Sequence, residues 1–370
     1  MNTKIKNIIH VVSYYPPHLG GMENCVAEIS ERLSEKKYRV LVYTSDIGYV
    51  ERFKNFPSLN VNYLKSIEVA HTPIIFSLFF RLLFIPRESL IHLHISLAYV
   101  PEVTYLVSKI RKTPYVAHIH LDVDPSGIFG FLLKPYKKYI LVHVLRNASR
   151  IICLTEAQRE LMINKYKLLP NKVLVIPNGV GDDFSISKRK KINKISRLLF
   201  VGRIDSQKNI PLLINALSLI KHNSTLDIVG DGEKRKEIEE LIKEKKLKNV
   251  TLHGRKTGRE LIDFYKRADI FVIPSKKEGL SLSMLEAMAA GLPIVGADVE
   301  GIRELIYDCG ILVKNPNPQN FSKEIDKLLS NSKKVLELSK KSSNKAKLYS
   351  WDLIVNEIKK VYEEVLSETK

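Results

Sequence analysis

Short apolar runs alternate with helix-patterned stretches along the whole chain, and no other feature restricts the fold as much. A run too short for a helix, apolar at nearly every position and followed by an amphipathic helix, belongs to a parallel sheet covered on both faces. In the first half the strand-like runs are 8–12, 40–43, 90–95, 115–120, 151–154 and 173–176. The pattern then starts again with 198–201, 226–229, 250–253, 270–273, 293–295 and 311–313. Helical stretches separate them, such as 210–220, with Leu212, Leu213, Ala216, Leu217 and Ile220 on one face, and 233–246. At 370 residues the chain is too long for one ordinary core. The expected fold class is therefore α/β, with two Rossmann-like doubly wound domains in tandem. The first covers residues 1–185, a basic linker 186–196 follows, and the second covers 197–350, with a last helix at 351–370 packing back on the first domain.

Hydrophobic residues at 45% and charged residues at 27% suit a soluble globular protein. Cys25, Cys153 and Cys309 are far apart and have no metal-ligand or redox spacing, which fits a reduced, cytoplasmic protein. The formal charge of +19, shared by both halves, calls for an anionic partner. Its tightest cluster, Lys188, Arg189, Lys190 and Lys191 with Lys194 and Arg197, falls in the linker and reads as a solvated connector. Without interleaved aromatics, zinc spacing or a recognition helix, nucleic acid is not an expected partner. No run has the length of a membrane span. Leu78, Phe79, Leu82, Leu83 and Phe84 beside Arg81 and Arg87 suit either the core or the surface of an anionic membrane. So does the stretch 127–145, where Phe129, Phe131, Leu132 and Leu133 neighbour Lys134, Lys137 and Lys138.

The chemistry-capable residues fall in loops after strands. Glu278 and Glu286 stand eight positions apart, one in the loop after the run 270–273 and one in the helix closed by Gly291. Carboxylates accept hydrogen bonds in pairs and vicinal hydroxyls donate them in pairs, so the two suit a polyhydroxy ligand. A solvated or capping Glu286 is the plainer alternative. After the run 198–201 come Gly202, Arg203 and Lys208, two cations at a helix N-terminus that already favours anions, where a diphosphate fits. Gly20 and Gly21 precede a helix with Met22, Val26, Ile29 and Leu33 at core spacing, and Gly230 and Gly232 repeat the strand-glycine-helix pattern. At each pair, close approach of phosphate and an ordinary tight turn are both open.

Together these pieces resemble the retaining glycosyltransferases of family four, which have the two-domain GT-B architecture with a cleft between the domains. The resemblance spans nearly the whole chain: Gly20-Gly21-Met22-Glu23, the strand ending at His120, Pro177-Asn178-Gly179-Val180, Gly202-Arg203 with Lys208, Gly230-Asp231-Gly232, and Glu278 with Glu286. It implies that Arg203 and Lys208 bind the donor diphosphate and Glu286 the ribose hydroxyls. Glu278, helped by the amides of Gly279 and Leu280, would take the hydroxyls of the transferred sugar. It also implies that Gly20 and Gly21 close onto phosphate and sugar, and that His120 is the active-site histidine. His92, His94 and His118 do not inherit that role, and their alternation fits core or supporting positions. The implied reaction moves a hexose from a nucleotide-diphosphate sugar to a hydroxyl of a glycan or lipid-linked acceptor, with retention and without a metal or other cofactor. Peripheral contact with the cytoplasmic face of a membrane accompanies it as an expectation.

Three alternatives stand beside that reading. Asp122-Val123-Asp124 after a strand is how single-domain glycosyltransferases hold a divalent metal, although such an enzyme would not need Arg203 and Lys208. A catalytically silent subunit could carry the same cleft for a partner enzyme. A nucleic-acid-binding protein would exploit the charge alone.

Overall fold

A computed structural model of the chain describes residues 7–18, 20–48, 59–69, 72–95, 98–120, 133–185 and 195–368. The basic cluster at 188–194, the Asp122 and Asp124 pair, and Phe129, Phe131 and Leu132 lie outside the described residues. Two compact units make up the chain: unit 1 is Met1–Asn178 with Trp351–Lys370, and unit 2 is Gly179–Ser350.

Unit 1 contains β1 (Asn7–Val11), β2 (Arg39–Ser45), β3 (Leu59–Leu64), a hairpin of β4 (Ser66–Val69) and β5 (Thr72–Ile75), β6 (Ser89–Ile95), β7 (Tyr115–Ile119), β8 (Arg150–Cys153) and β9 (Val173–Val175). Its main sheet is wholly parallel in the order β3-β2-β1-β6-β7-β8-β9, so the winding reverses between β1 and β6. β1, β6 and β7 are almost completely buried, which explains why they read as unbroken apolar runs. One face, with Ile9, Val11, Ile91, Leu93, Ile95, Ala117 and Ile119, joins the main hydrophobic core. The other carries histidines at alternate positions. The last helix, Trp351–Glu368, belongs to this unit and buries Trp351, Ile354, Val355, Ile358, Val361, Tyr362 and Val365.

Unit 2 contains β10 (Ser196–Val201), β11 (Ser224–Val229), β12 (Val250–Leu252), β13 (Ile270–Ile273), β14 (Ile294–Ala297) and β15 (Gly310–Val313). All pair in parallel in the order β12-β11-β10-β13-β14-β15, with the reversal between β10 and β13. In open α/β sheets the crevice at the carboxyl ends of the strands flanking such a reversal is where ligands bind.

The structure adds β3 and the β4–β5 hairpin to the sequence-based strands. Both lie at margins, where exposed Asn60 and Glu68 break up the apolar signal. The amphipathic run at 78–84 divides in two. Leu78 and Leu82 are buried in the helix Leu78–Leu83, whereas Phe80 and Phe84 are exposed.

Candidate functional site

The loops after β10 and β13 meet because those strands are neighbours at the reversal of unit 2. They are stitched together by backbone and side chain: the Lys276 amide donates to the Gln207 carbonyl at 2.8 Å, and Gln207 Nε2 donates to the Lys277 carbonyl at 2.9 Å. Asp205 Oδ1 accepts from the Lys208 amide at 2.9 Å and shapes the turn. This frame brings Lys208 Nζ to 2.6 Å from Glu278 Oε1, with the two side chains only 16% and 5% exposed. Residues seventy positions apart thus form one nearly buried ion pair. Arg203, on the same loop as Lys208, is exposed and makes no ion pair among the described residues. One cation is matched and the other is available to an incoming anion.

Glu286 sits in the helix Leu282–Ala289, where Met284, Leu285, Ala287 and Met288 form the buried side. The Tyr265 hydroxyl donates to Glu286 Oε2 at 2.6 Å. Tyr265 is fully buried in the helix Gly258–Arg267, and burial, with the carboxylate beside it, pushes its hydroxyl well above the ordinary tyrosine pKa. It is a permanent donor that orients the carboxylate. Nothing in the sequence singles out Tyr265, because an aromatic on the apolar side of a helix reads as core.

Two glycines are demanded by backbone contacts. Gly230 has φ +140°, and a Cβ there would lie 1.9 Å from the Gly202 carbonyl oxygen. The close neighbour at Gly230 is therefore the β10 loop. Gly301, which carries no sequence signal of its own, would place a Cβ 1.7 Å from the Gly279 carbonyl oxygen. The Glu278-Gly279 backbone thus rests directly on the helix Glu300–Ile306. Leu280 is buried at the end of the same loop.

In unit 1, Gly20 is extended and Gly21 opens the helix Gly21–Glu35. The space beside Gly20 holds the Glu23 carboxylate, since a Cβ there would lie 2.1 Å from Glu23 Oε2. Glu23 Oε1 is 2.8 Å from His18 Nδ1, and the His18 ring stacks on Tyr14 with centroids 4.2 Å apart.

His120 is half-buried at the end of β7 and belongs to a cluster of five imidazoles with His10, His92, His94 and His118. Hydrogen bonds join His10 Nδ1 to His94 Nε2 at 2.9 Å, His94 Nδ1 to His120 Nε2 at 3.0 Å, and His92 Nε2 to His118 Nδ1 at 3.2 Å. The Tyr362 hydroxyl meets His92 Nδ1 from the last helix. Burial holds His10 and His120 down at about 3. Burial, then neighbouring imidazoles, push His92, His94 and His118 well below the usual histidine range. The sequence shows the alternation of His92, His94 and His118, but His10 joins them only through strand order.

Residues 19–184 match the family model described as Glycosyltransferase Family 4, and residues 182–348 match Glycosyl transferases group 1. A glycosyltransferase of Methanocaldococcus jannaschii is 30% identical over 383 residues, covering 94% of this chain and 95% of its own length. One subunit of the human phosphatidylinositol N-acetylglucosaminyltransferase is 25% identical, covering 99% of this chain and 78% of its own. Among solved structures, Anabaena HepE in complex with UDP-glucose superposes with a TM-score of 0.78 at 20% identity, covering 97% of this chain and 99% of that one.

Proposed function

This chain belongs to the family-four glycosyltransferases of GT-B architecture, and we propose that it moves a hexose from a nucleotide-diphosphate sugar to a hydroxyl acceptor with retention and without a metal. The observation that carries this reading is the Lys208–Glu278 pair beside the exposed Arg203, which makes no ion pair among the described residues, at the strand reversal of unit 2. Breaking the bond between sugar and phosphate builds negative charge on the diphosphate. Arg203 and Lys208, held by the stitched loops, stabilise it as preorganised cations. Glu278 takes hydroxyls of the sugar that leaves, with the Gly279 and Leu280 amides beside it. Glu286, oriented by Tyr265, takes the ribose hydroxyls. Gly202 and Gly230 keep the loop compact beneath the diphosphate. His120 is assigned to a hydroxyl of the transferred sugar, and Gly20 and Gly21 to its phosphate once the Glu23 carboxylate gives way.

A lipid-linked acceptor on the cytoplasmic face of an anionic membrane is the favoured partner. The name of the human relative points to a lipid substrate. Unit 1 also exposes Phe76, Phe80 and Phe84, the last at 84%, beside the exposed Arg81 and Arg87. Phe80 and Phe84 line a surface hollow with Tyr43, Ser77 and Arg81. Apolar rings ringed by cations suit a bilayer interface. No helix among the described residues is long and apolar enough to cross a membrane.

The test is turnover of a nucleotide-sugar panel with chelator present, with lipid-linked and soluble acceptors, and NMR of the anomeric configuration. Retained turnover under chelation, lost in Lys208→Ala and Glu278→Ala proteins that still fold, is the expected result. A fully active Lys208→Ala protein overturns the diphosphate assignment. Tight nucleotide binding with no turnover on any acceptor favours the silent-subunit reading instead.

A further inference from the structure

The histidines of unit 1 form a staircase. His10 on β1 is in register with His92, and His94 on β6 with His118. Each hydrogen bond nevertheless runs diagonally, His10 to His94 and His94 to His120, so each step crosses one strand and climbs two residues. The climb leads from a fully buried ring to the half-buried end of β7, at the edge of the sheet where α/β proteins place ligands.

A neutral imidazole has one N–H and one lone pair, so the tautomer of each ring dictates that of the next. His10 Nε2 is buried and has no partner among the described residues. A buried N–H without an acceptor is rarer than an unfilled lone pair. The hydrogen of His10 therefore belongs on Nδ1, where it is donated to His94 Nε2. His94 must then carry its hydrogen on Nδ1 and donate it to His120 Nε2, which leaves the hydrogen of His120 on Nδ1. The second line, Tyr362–His92–His118, stacks against the first, with His92 on His94 and His118 on His120 at 4.2 Å each. Rings packed at that distance have no room to flip.

No carboxylate bonds to any of the five rings among the described residues, so an imidazolium here would be an uncompensated buried charge. A metal ion fits the geometry less well. His94, His118 and His120 bring ligand atoms within 4.8 Å of one another. Their rings, however, lie 21°, 26° and 34° from parallel, so lone pairs in the ring planes converge poorly, and His94 spends both nitrogens on its neighbours.

We propose that His10 and His94 are positioning residues that lock His120 in its Nδ1–H tautomer, so that its outer end is a neutral, permanent N–H donor to an oxygen of a bound sugar. The ligand in that statement rests on the glycosyltransferase reading above, whereas the tautomer does not. A neutral donor suits a reacting sugar that gains positive character as its leaving group departs, because a histidine cation there would oppose it.

Long-range 1H–15N correlation of ring-labelled histidines in the unliganded full chain at about pH 7 reads the tautomers directly. The expected spectrum shows His10, His94 and His120 each protonated at Nδ1 and bare at Nε2. An Nε2–H tautomer or a charged ring at His120 overturns the proposal, as does a stoichiometric shift of the ring nitrogens on adding zinc alone. His10→Asn, which keeps an N–H near the position of Nδ1, should preserve the His120 tautomer. His10→Leu should yield a mixture, with kcat for hydrolysis of the nucleotide sugar that the native protein turns over best in a panel reduced about tenfold at nearly constant KM. If His10→Leu does not fold, the native spectrum and His10→Asn decide. A His120 tautomer unchanged in folded His10→Leu refutes the relay. Native protein with the Nδ1–H tautomer but no turnover supports the staircase and counts against the donor reading alone.

Discussion

Acidification from about pH 7.5 to about pH 5 should unfold unit 1 ahead of unit 2, and the buried histidines set the size of the effect. His10, His92, His94 and His118 are at most 1% exposed and stay neutral in the native state. Unfolded, each regains a pKa of about 6.5. The native pKa values are depressed, so below about pH 6.5 the unfolded chain binds more protons, and stability present above that pH is lost as pH falls towards the native values. At pH 5 each histidine costs about 2 kcal/mol, and the four together about 8 kcal/mol. That rivals the whole stability of a typical domain, about 5–15 kcal/mol. Glu102, whose carboxyl burial raises, acts in the opposite sense, but it is one group against four. Unit 2 lacks such a cluster among its described residues, where His222 and His253 lie 2.8 and 2.5 Å from Asp326 and Asp227. Hydrogen exchange read by mass spectrometry in mild urea, peptide by peptide across the pH range, separates the two units. Folded His10→Asn and His118→Gln proteins should each lose about 1.4 kcal/mol per pH unit of the slope. Equal protection of unit 1 at both ends of the range, or native ring titrations near pH 6.5, would refute the reasoning.

Lys208→Ala and Arg203→Ala should each lower kcat by about two to three orders of magnitude, an effect of ~3 kcal/mol on the barrier. The melting temperature should stay nearly constant in Arg203→Ala and fall in Lys208→Ala, which strands the nearly buried Glu278 carboxylate. Tyr265→Phe removes the hydroxyl that orients Glu286, and calorimetry over a panel of nucleoside diphosphates should show binding of the preferred one weakened by about 1–2 kcal/mol, with a smaller effect on the chemical step. Gly230→Ala places a methyl group 1.9 Å from the Gly202 carbonyl, so urea unfolding should show unit 2 destabilised by more than about 1 kcal/mol. Phe80→Ser with Phe84→Ser should reduce flotation with anionic vesicles and leave nucleotide-sugar hydrolysis in solution unchanged, whereas unaltered flotation would remove that face from the membrane assignment.

Central strands were legible because a strand covered on both faces leaves an unbroken apolar run, as at β6, β7 and β13. Marginal strands were not: β3 interleaves Asn60 and Asn62 with its apolar residues and mixes intermediate and exposed positions. At the candidate site, Arg203, Lys208 and Glu278 were visible as charged residues in loops after strands, and Glu286 as a carboxylate within the helix that follows. The direct Lys208–Glu278 pairing was not, because it depends on β10 and β13 being neighbours, a fact of strand order. Tyr265 and Gly301 were invisible for a different reason. Their roles lie in what a hydroxyl reaches and what a missing Cβ allows, and neither leaves a pattern in periodicity or charge.

The chain leaves unit 1 at Asn178, builds all of unit 2, and returns at Trp351 to finish unit 1. During synthesis, order of appearance and order of completion therefore differ. Unit 2 has all its residues once Ser350 has emerged, while unit 1, begun first, still waits for the helix that carries Tyr362 to His92. Until then the polar face of its sheet lacks its last cover, and a nascent chain paused inside unit 2 holds an unfinished first unit for a chaperone to shield.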